Sequence, residues 1–483
     1  MKDWKALLRI IGSLLMAEGG AILSCLIPAI GFHDGTVAPI LVSGLFTFFV
    51  GLLLNFIFSK YRIITDTRMS SLLVVFCWVI LSVFATLPFL ATGVIHNFVD
   101  AFFESMSGFT STGATVFTSV EHLPKSILFW RALSQWIGGF GIILVVLAIV
   151  PKLGINKYSL YTAEASGADN TGKVTTSMSA TIRHTLIIYV SLTIFFIVML
   201  CLADMPLFDS VSFTFMNISS GGFSIHDDSV ASLTHTQQYI LAAIMFFSGI
   251  NFTLLFYFFT FRWGKIRYKL DQFGFYIGII IGSVALVMML LHFKMGYDWA
   301  DSLRFSTVQT MSVISTTGSV IDDTNLWWTP IQFLFLVLTL CGGMAGATTG
   351  GLKVMRVLIL MRNVRTILYN KLHPNAVNPV RLNRYPVSQQ MITNVMVIFF
   401  VYVFVIIVSV LGLMMCHISP TESIGAVFAC ITSYGPGLGA CGGFGNYAAF
   451  GPMAKMICAV VMLMGRLECM SVLILFFPAF WKK

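Results

Sequence analysis

Phe109-Thr110-Ser111-Thr112-Gly113 has three counterparts further along the chain: Ile218-Ser219-Ser220-Gly221-Gly222, Ile314-Ser315-Thr316-Thr317-Gly318 and Ile431-Thr432-Ser433-Tyr434-Gly435. Each is an apolar residue, two hydroxyl residues, one variable position and a glycine, set between two apolar runs long enough to cross a bilayer. At membrane depth, backbone that leaves the helix is tolerated only where it is buried in protein or lines a cavity. Four such polar turns therefore predict a path for an ion, with carbonyl oxygens replacing its hydration shell.

Working outward, the composition excludes most other classes. The 483 residues are 57% hydrophobic and 10% charged, with a mean hydropathy of +0.88. A chain of that composition belongs in a membrane. The uninterrupted apolar runs predict helices, because barrel strands would alternate over about 10 residues. The start, Met-Lys-Asp-Trp-Lys, leads into a long apolar run without a small-residue cleavage site and reads as an uncleaved first span. The nine cysteines form no CxxC pair, and most sit inside apolar runs as small hydrophobes, so neither a disulfide framework nor a zinc site is expected. The formal charge of +9 is explained by basic loops, not by nucleic-acid binding.

The fold class expected is an all-α membrane protein. Two N-terminal spans, near 9–32 and 37–58, precede four parallel units around one ion pathway, each a helix, a re-entrant turn and a second helix. Leading helices begin near Ser71, His184, Phe273 and Ile392; their partners run near 125–150, 236–261, 329–360 and 452–477. That makes ten spanning helices and four half-buried ones. The boundaries are 1–70, 71–150, 151–270, 271–361 and 362–483, the third and fifth segments each opening with a cytoplasmic link. Thirteen residues before the four glycines stand Asp100, Asp209, Phe305 and Glu422, so three of the short helices start with an acid, as a helix N-terminus favours. In the third unit Asp301 lies one turn earlier. Placing the N-terminus, the links and the C-terminus on one side collects all 29 Lys and Arg except Lys125, Arg131, Lys294, Arg304, Lys455 and Arg466. That side is the cytoplasm, and the four units point the same way.

The residues expected to present carbonyls to the ion are Ser111, Thr112 and Gly113; Ser220, Gly221 and Gly222; Thr316, Thr317 and Gly318; and Ser433, Tyr434 and Gly435. A single turn of this kind is ordinary; four in register are the signal. Each turn has one aligned glycine, fewer than a potassium-channel TVGYG loop, which predicts a shorter filter with weaker selectivity among K⁺, Rb⁺ and Na⁺. The run from Cys341 to Gly351 carries Gly342, Gly343, Gly346, Gly350 and Gly351 with Thr348 and Thr349. It cannot remain a good helix, and it is expected to cross the path below the filter as a gate. Close helix packing through small residues is the plainer alternative. Arg466, set within the last apolar run, is expected to line the path near that segment, or else to pair with carbonyls or an acid. Glu468 is two positions on and so not on the same helix face. The Gly435-x-Gly437-x-Gly439 run lacks the βαβ setting of a dinucleotide fingerprint, and no catalytic motif stands out.

These residues resemble a known family. DAFFESMSGFTSTGAT (100–115), SGGFSIHD (220–227), GGLKVMR (350–356), HPNAV (373–377), YGPGLG (434–439), GRLE (465–468) and the closing PAFW are similar to the membrane-spanning subunits of bacterial Trk potassium uptake systems, in the Trk/Ktr superfamily. The resemblance implies a homodimer in the inner membrane, surrounded by lipid, and a cytoplasmic nucleotide-binding regulatory ring. It also implies that 341–351 is the gating loop, with Arg466 its partner. K⁺ is then the transported ion at the filter residues, with no covalently bound cofactor. Two departures are AGATTGG in the gating run and ISTTGSV in the third turn. The rival to a gated pore is an H⁺- or Na⁺-coupled carrier, a symport, which needs titratable groups near the midplane. An intramembrane enzyme would need a nucleophile or metal set that is not visible. The basic links 151–183 and 361–386 suit docking of the regulator, with Arg362 and Arg365 as candidate contacts.

Overall fold

The structure is a computed structural model that describes residues 2–61, 67–149, 178–261, 270–375, 378–383 and 385–481. Helices dominate these residues; the single β element is a short hairpin pairing Arg381–Leu382 with Tyr385–Pro386. Most of the 151–183 link lies outside the described residues.

The first helix, Lys2–Ser24, packs along Val37–Ile57 through glycine. A Cβ on Gly12 or Gly51 would overlap the carbonyl of the other; one heptad on, a Cβ on Gly19 would overlap the Gly44 carbonyl and the Phe48 backbone, and one on Gly44 would meet Leu23. Small residues let two backbones approach where no water is available to drive association. The long helices Val37–Ile57, Leu270–Met295 and Gln389–Met415 are mostly exposed and apolar, the pattern of a lipid-facing wall.

Four short helices stand inside that wall: Phe98–Phe109, Leu207–Ile218, Trp299–Ile314 and Pro420–Ile431. All four stop four residues before their glycine. Asn97, Asp298 and Ser419 cap the first, third and fourth with side-chain oxygens, each worth about 1 kcal/mol. The third helix is one turn longer than the others and begins at the Asp298 cap, which is why the acid there, Asp301, sits a turn early.

The second helices of the units differ from one another. Only Lys125–Ile149 runs through unbroken. His235–Ser248 and Phe252–Phe259 meet at a bend of 104°, where the expected span was continuous. Asn251 starts the second piece by accepting the Leu254 N–H at 3.0 Å. Thr329–Cys341 ends in an unwound segment and resumes as Val354–Leu372, as the glycine run predicts. Pro452–Arg466 turns by 112° before Met470–Phe476, because Glu468 and Cys469 adopt positive φ (60° and 55°). Arg466 is therefore the last residue of a helix and not an interior one. Six helices are long and apolar enough to cross a membrane among the described residues, up to eight if each bent pair is one span, and the chain is a multi-pass membrane protein.

Candidate functional site

Each short helix ends in the same backbone turn. The residue two before the glycine has positive φ: Ser111 50°, Ser220 55°, Thr316 51°, Ser433 54°. Its N–H returns to the carbonyl three residues back, and the next N–H reaches five back: Thr112 to Ser107 (2.9 Å), Gly221 to Met216 (2.8 Å), Thr317 to Ser312 (2.8 Å) and Tyr434 to Ala429 (2.9 Å). This is a Schellman cap, usually built on glycine. A hydroxyl residue there costs about 1–2 kcal/mol of backbone strain. Gly113, Gly222, Gly318 and Gly435 are left-handed too (φ 83°, 71°, 88° and 94°), so each turn has two such residues, of which only the glycine is recognisable from residue type.

Three of the side chains at the hydroxyl position are tied to neighbouring elements. Ser111 Oγ donates to the Gln135 carbonyl at 3.4 Å, and Ser220 Oγ to Ser248 Oγ at 3.3 Å. Thr316 Oγ1 accepts the Gly350 N–H at 2.7 Å. Gln135 Nε2 also donates to the Gly221 carbonyl at 2.7 Å, and the Tyr447 hydroxyl donates to the Gly435 carbonyl at 3.0 Å. Two of the expected carbonyls are thus held by side chains through one lone pair.

The four turns interlock in a closed cycle. A Cβ on Gly113 would overlap the Gly221 carbonyl oxygen, one on Gly222 that of Thr317, one on Gly318 that of Tyr434, and one on Gly435 that of Thr112. Each glycine thus makes room for the carbonyl just before the glycine of the next turn, and the fourth returns to the first. A single cavity is lined by all four glycines. The twelve residues singled out by the motif are brought together.

The glycine-rich segment lies under this ring. Thr348 Oγ1 meets Ser220 Oγ at 2.9 Å and donates to the Ile218 carbonyl at 3.1 Å. Gly350 reaches the third turn through Thr316 and leaves no space for a Cβ against the Thr432 carbonyl of the fourth. Arg466 donates to the Thr348 carbonyl at 2.7 Å and to the Gly138 and Gly139 carbonyls at 2.7 and 2.8 Å, tying the segment to the first unit. Gly342, Gly346 and Gly351 take positive φ, and the Gly343 N–H donates to Thr349 Oγ1 at 3.1 Å. The bend at 249–251 joins in: the Met344 N–H donates to the Gly249 carbonyl at 2.9 Å, and the Asn251 amide donates to the Ala345 carbonyl. Below it, Arg356 pairs with Glu468 at 2.5 Å.

Arg362 and Arg365, the candidate docking residues, differ. Arg362 is bonded to Asp271 at 2.6 Å and to the Arg381 carbonyl at 2.7 Å, whereas Arg365 is exposed. All nine cysteines are free, and among the described residues no His, Cys, Asp and Glu cluster suits a metal ion.

The sequence profile of the cation transport protein family TrkH matches residues 38–483. The chain belongs to the TrkH family of cation transport proteins. Among its TrkH relatives, the "Trk system potassium uptake protein TrkH" of Salmonella typhimurium is 34% identical over 487 residues, 99% of this chain and all of the relative. The protein of the same name from Escherichia coli K12 is 32% identical over 483 residues, with the same coverage. The crystal structure of the potassium transporter TrkH from Vibrio parahaemolyticus superposes with a TM-score of 0.88 at 32% identity, covering 99% of this chain and all of that one.

Proposed function

We propose that the chain is the membrane-spanning pore of a potassium uptake system in a bacterial inner membrane, with K⁺ stripped of water by the carbonyls at 111–113, 220–222, 316–318 and 433–435. The observation that carries this reading is the closed cycle of glycine against neighbouring carbonyl, which supports one four-part ring of oxygens instead of four unrelated turns. Inward movement of each ion draws about 2.3 kcal/mol per 100 mV of membrane potential. The 342–351 segment is the gate: it blocks the space beneath the ring while Thr348, Gly350 and Arg466 hold it. A cytoplasmic nucleotide-binding ring, docking on the basic links, moves that segment, and the pore works as a homodimer.

The test is growth on low potassium of a bacterium that lacks its own pore subunits but keeps the cytoplasmic regulator. The chain should restore growth and raise rubidium uptake. Membrane-inserted chain that restores neither would end this reading. A coupled carrier is the second reading, favoured by Glu18: it is buried on the first helix with no hydrogen-bond partner among the described residues. In liposomes, a reversal potential that shifts with a pH gradient would select it; one that follows only the potassium gradient selects the pore.

A further inference from the structure

We propose that Glu104 and Arg131, a buried ion pair behind the first two turns, are positioning residues that set how strictly the outer mouth of the pathway discriminates between potassium and sodium. The inference rests on reading the turns as the ion filter. Glu104 is on the first short helix, nine residues before Gly113, and Arg131 is on Lys125–Ile149. Their side chains are 0% and 1% exposed, with Arg131 Nε 2.9 Å from Glu104 Oε1. The carboxylate accepts from Thr115 Oγ1 at 3.1 Å and from the Val116 N–H at 3.0 Å, on the segment leaving the first turn. The guanidinium crosses to the second turn, donating to the Ser224 carbonyl at 2.8 Å and stacking 4.2 Å from the Phe223 ring. One pair therefore grips the backbone just beyond Gly113 and just beyond Gly222, fixing the distance between two quarters of the ring.

A charged pair is a costly way to make such a brace, since both ions must leave water. The third unit makes the equivalent bond without charge: Gln309, nine residues before Gly318, accepts the Ile321 N–H at 3.3 Å and donates to the Tyr434 hydroxyl at 3.1 Å. Phe213 and Ala426 stand at that offset in the other two units, so the ionic brace occurs at one quarter alone. Arg131 also lines the cavity outside the four glycines, together with Asp227 and His226. Glu104 thus has two effects: it neutralises a cation beside the route of an incoming cation, and it anchors the arginine that holds the second turn.

The two effects separate experimentally in liposomes holding the purified full chain, with potassium and sodium flux expressed per folded protein by size exclusion. Glu104→Gln leaves Arg131 unbalanced and should lower potassium flux about tenfold, the scale of one charge-assisted bond. The double variant Glu104→Gln/Arg131→Gln should regain most of that flux while its preference for potassium over sodium falls severalfold. Arg131→Lys, which keeps the charge but loses the fork to Ser224, should keep flux and lose preference, and it serves if the neutral variants do not accumulate. A preference equal to the parent in the double variant, or in Arg131→Lys where only that variant folds, would overturn the proposal. If the parent itself passes no monovalent cation, the filter reading fails and not this refinement of it.

Discussion

Replacing Arg466 with alanine isolates the hold of the fourth unit on the glycine-rich segment. Of its three backbone bonds among the described residues, two fix the guanidinium to Gly138 and Gly139, and one, to the Thr348 carbonyl, crosses to the segment. Only that third bond distinguishes a seated segment from a displaced one. A hydrogen bond from a charged donor contributes about 1.5–3 kcal/mol. At about 1.36 kcal/mol per tenfold, its loss shifts the seated-to-displaced ratio by about 10- to 150-fold. Removing the positive charge from beneath the ring acts in the same direction on a passing cation. In liposomes without any regulatory partner, basal rubidium flux through Arg466→Ala should therefore rise by one to two orders of magnitude over the parent, unless the parent is already open. Lys would restore charge but not the three-way fork, so Arg466→Lys should fall between the two. Flux equal to or below the parent, from protein with an unchanged size-exclusion profile, would refute the assignment of this segment as the gate.

Three further outcomes are expected. Gly318→Ala combines a φ of 88° with a clash against the Tyr434 carbonyl, so potassium uptake should be lost, and uptake at parental rates would remove the interlocking ring from the argument. Arg365→Glu should weaken binding of the cytoplasmic regulator, read by co-purification, while leaving yield unchanged; Arg362→Glu should instead lower yield, because it breaks the contact with Asp271. Asp34, in the loop between the first two spans, is partly desolvated, which favours its neutral form, but hydrogen bonds from Thr36 and Ser126 outweigh this and hold its carboxyl below the usual value. Its contribution to stability is present above the ordinary aspartate pKa of about 3.9 and is lost as pH falls through the lowered value. The melting temperature of the parent should therefore drop more steeply below about pH 4 than that of Asp34→Asn.

Much of this arrangement is legible in the sequence because it rests on residues with few uses. Glycine at four equivalent positions, an acid at the start of three short helices, and five glycines in one apolar run each have a narrow physical meaning, and the turns, the helix starts and the unwound segment stand where those residues place them. What is hidden depends on residues with many uses. Ser111, Ser220, Thr316 and Ser433 take a left-handed conformation because the Schellman bonds and the packing around them impose it, not because serine or threonine prefers it. The bend after Ser248 hangs on the Asn251 cap, since Gly249 at that break keeps an ordinary right-handed conformation (φ −79°), and the bend after Arg466 hangs on Glu468 and Cys469, with neither glycine nor proline at 467–469 to mark it. Arg466 is misplaced within its helix for the same reason. The grip of Gln135 on the second turn joins partners 86 residues apart, and no local pattern encodes a pairing at that distance.

The head-to-tail cycle of glycine and carbonyl has a consequence for how such a protein can change over generations. In an assembly of identical subunits, any alteration of the conduit is copied at every position around the axis, and its penalty is multiplied. Here each quadrant is encoded once, so Thr-Thr can stand where another quadrant has Ser-Gly or Ser-Tyr, and one side can be altered while the remaining three preserve the interlock.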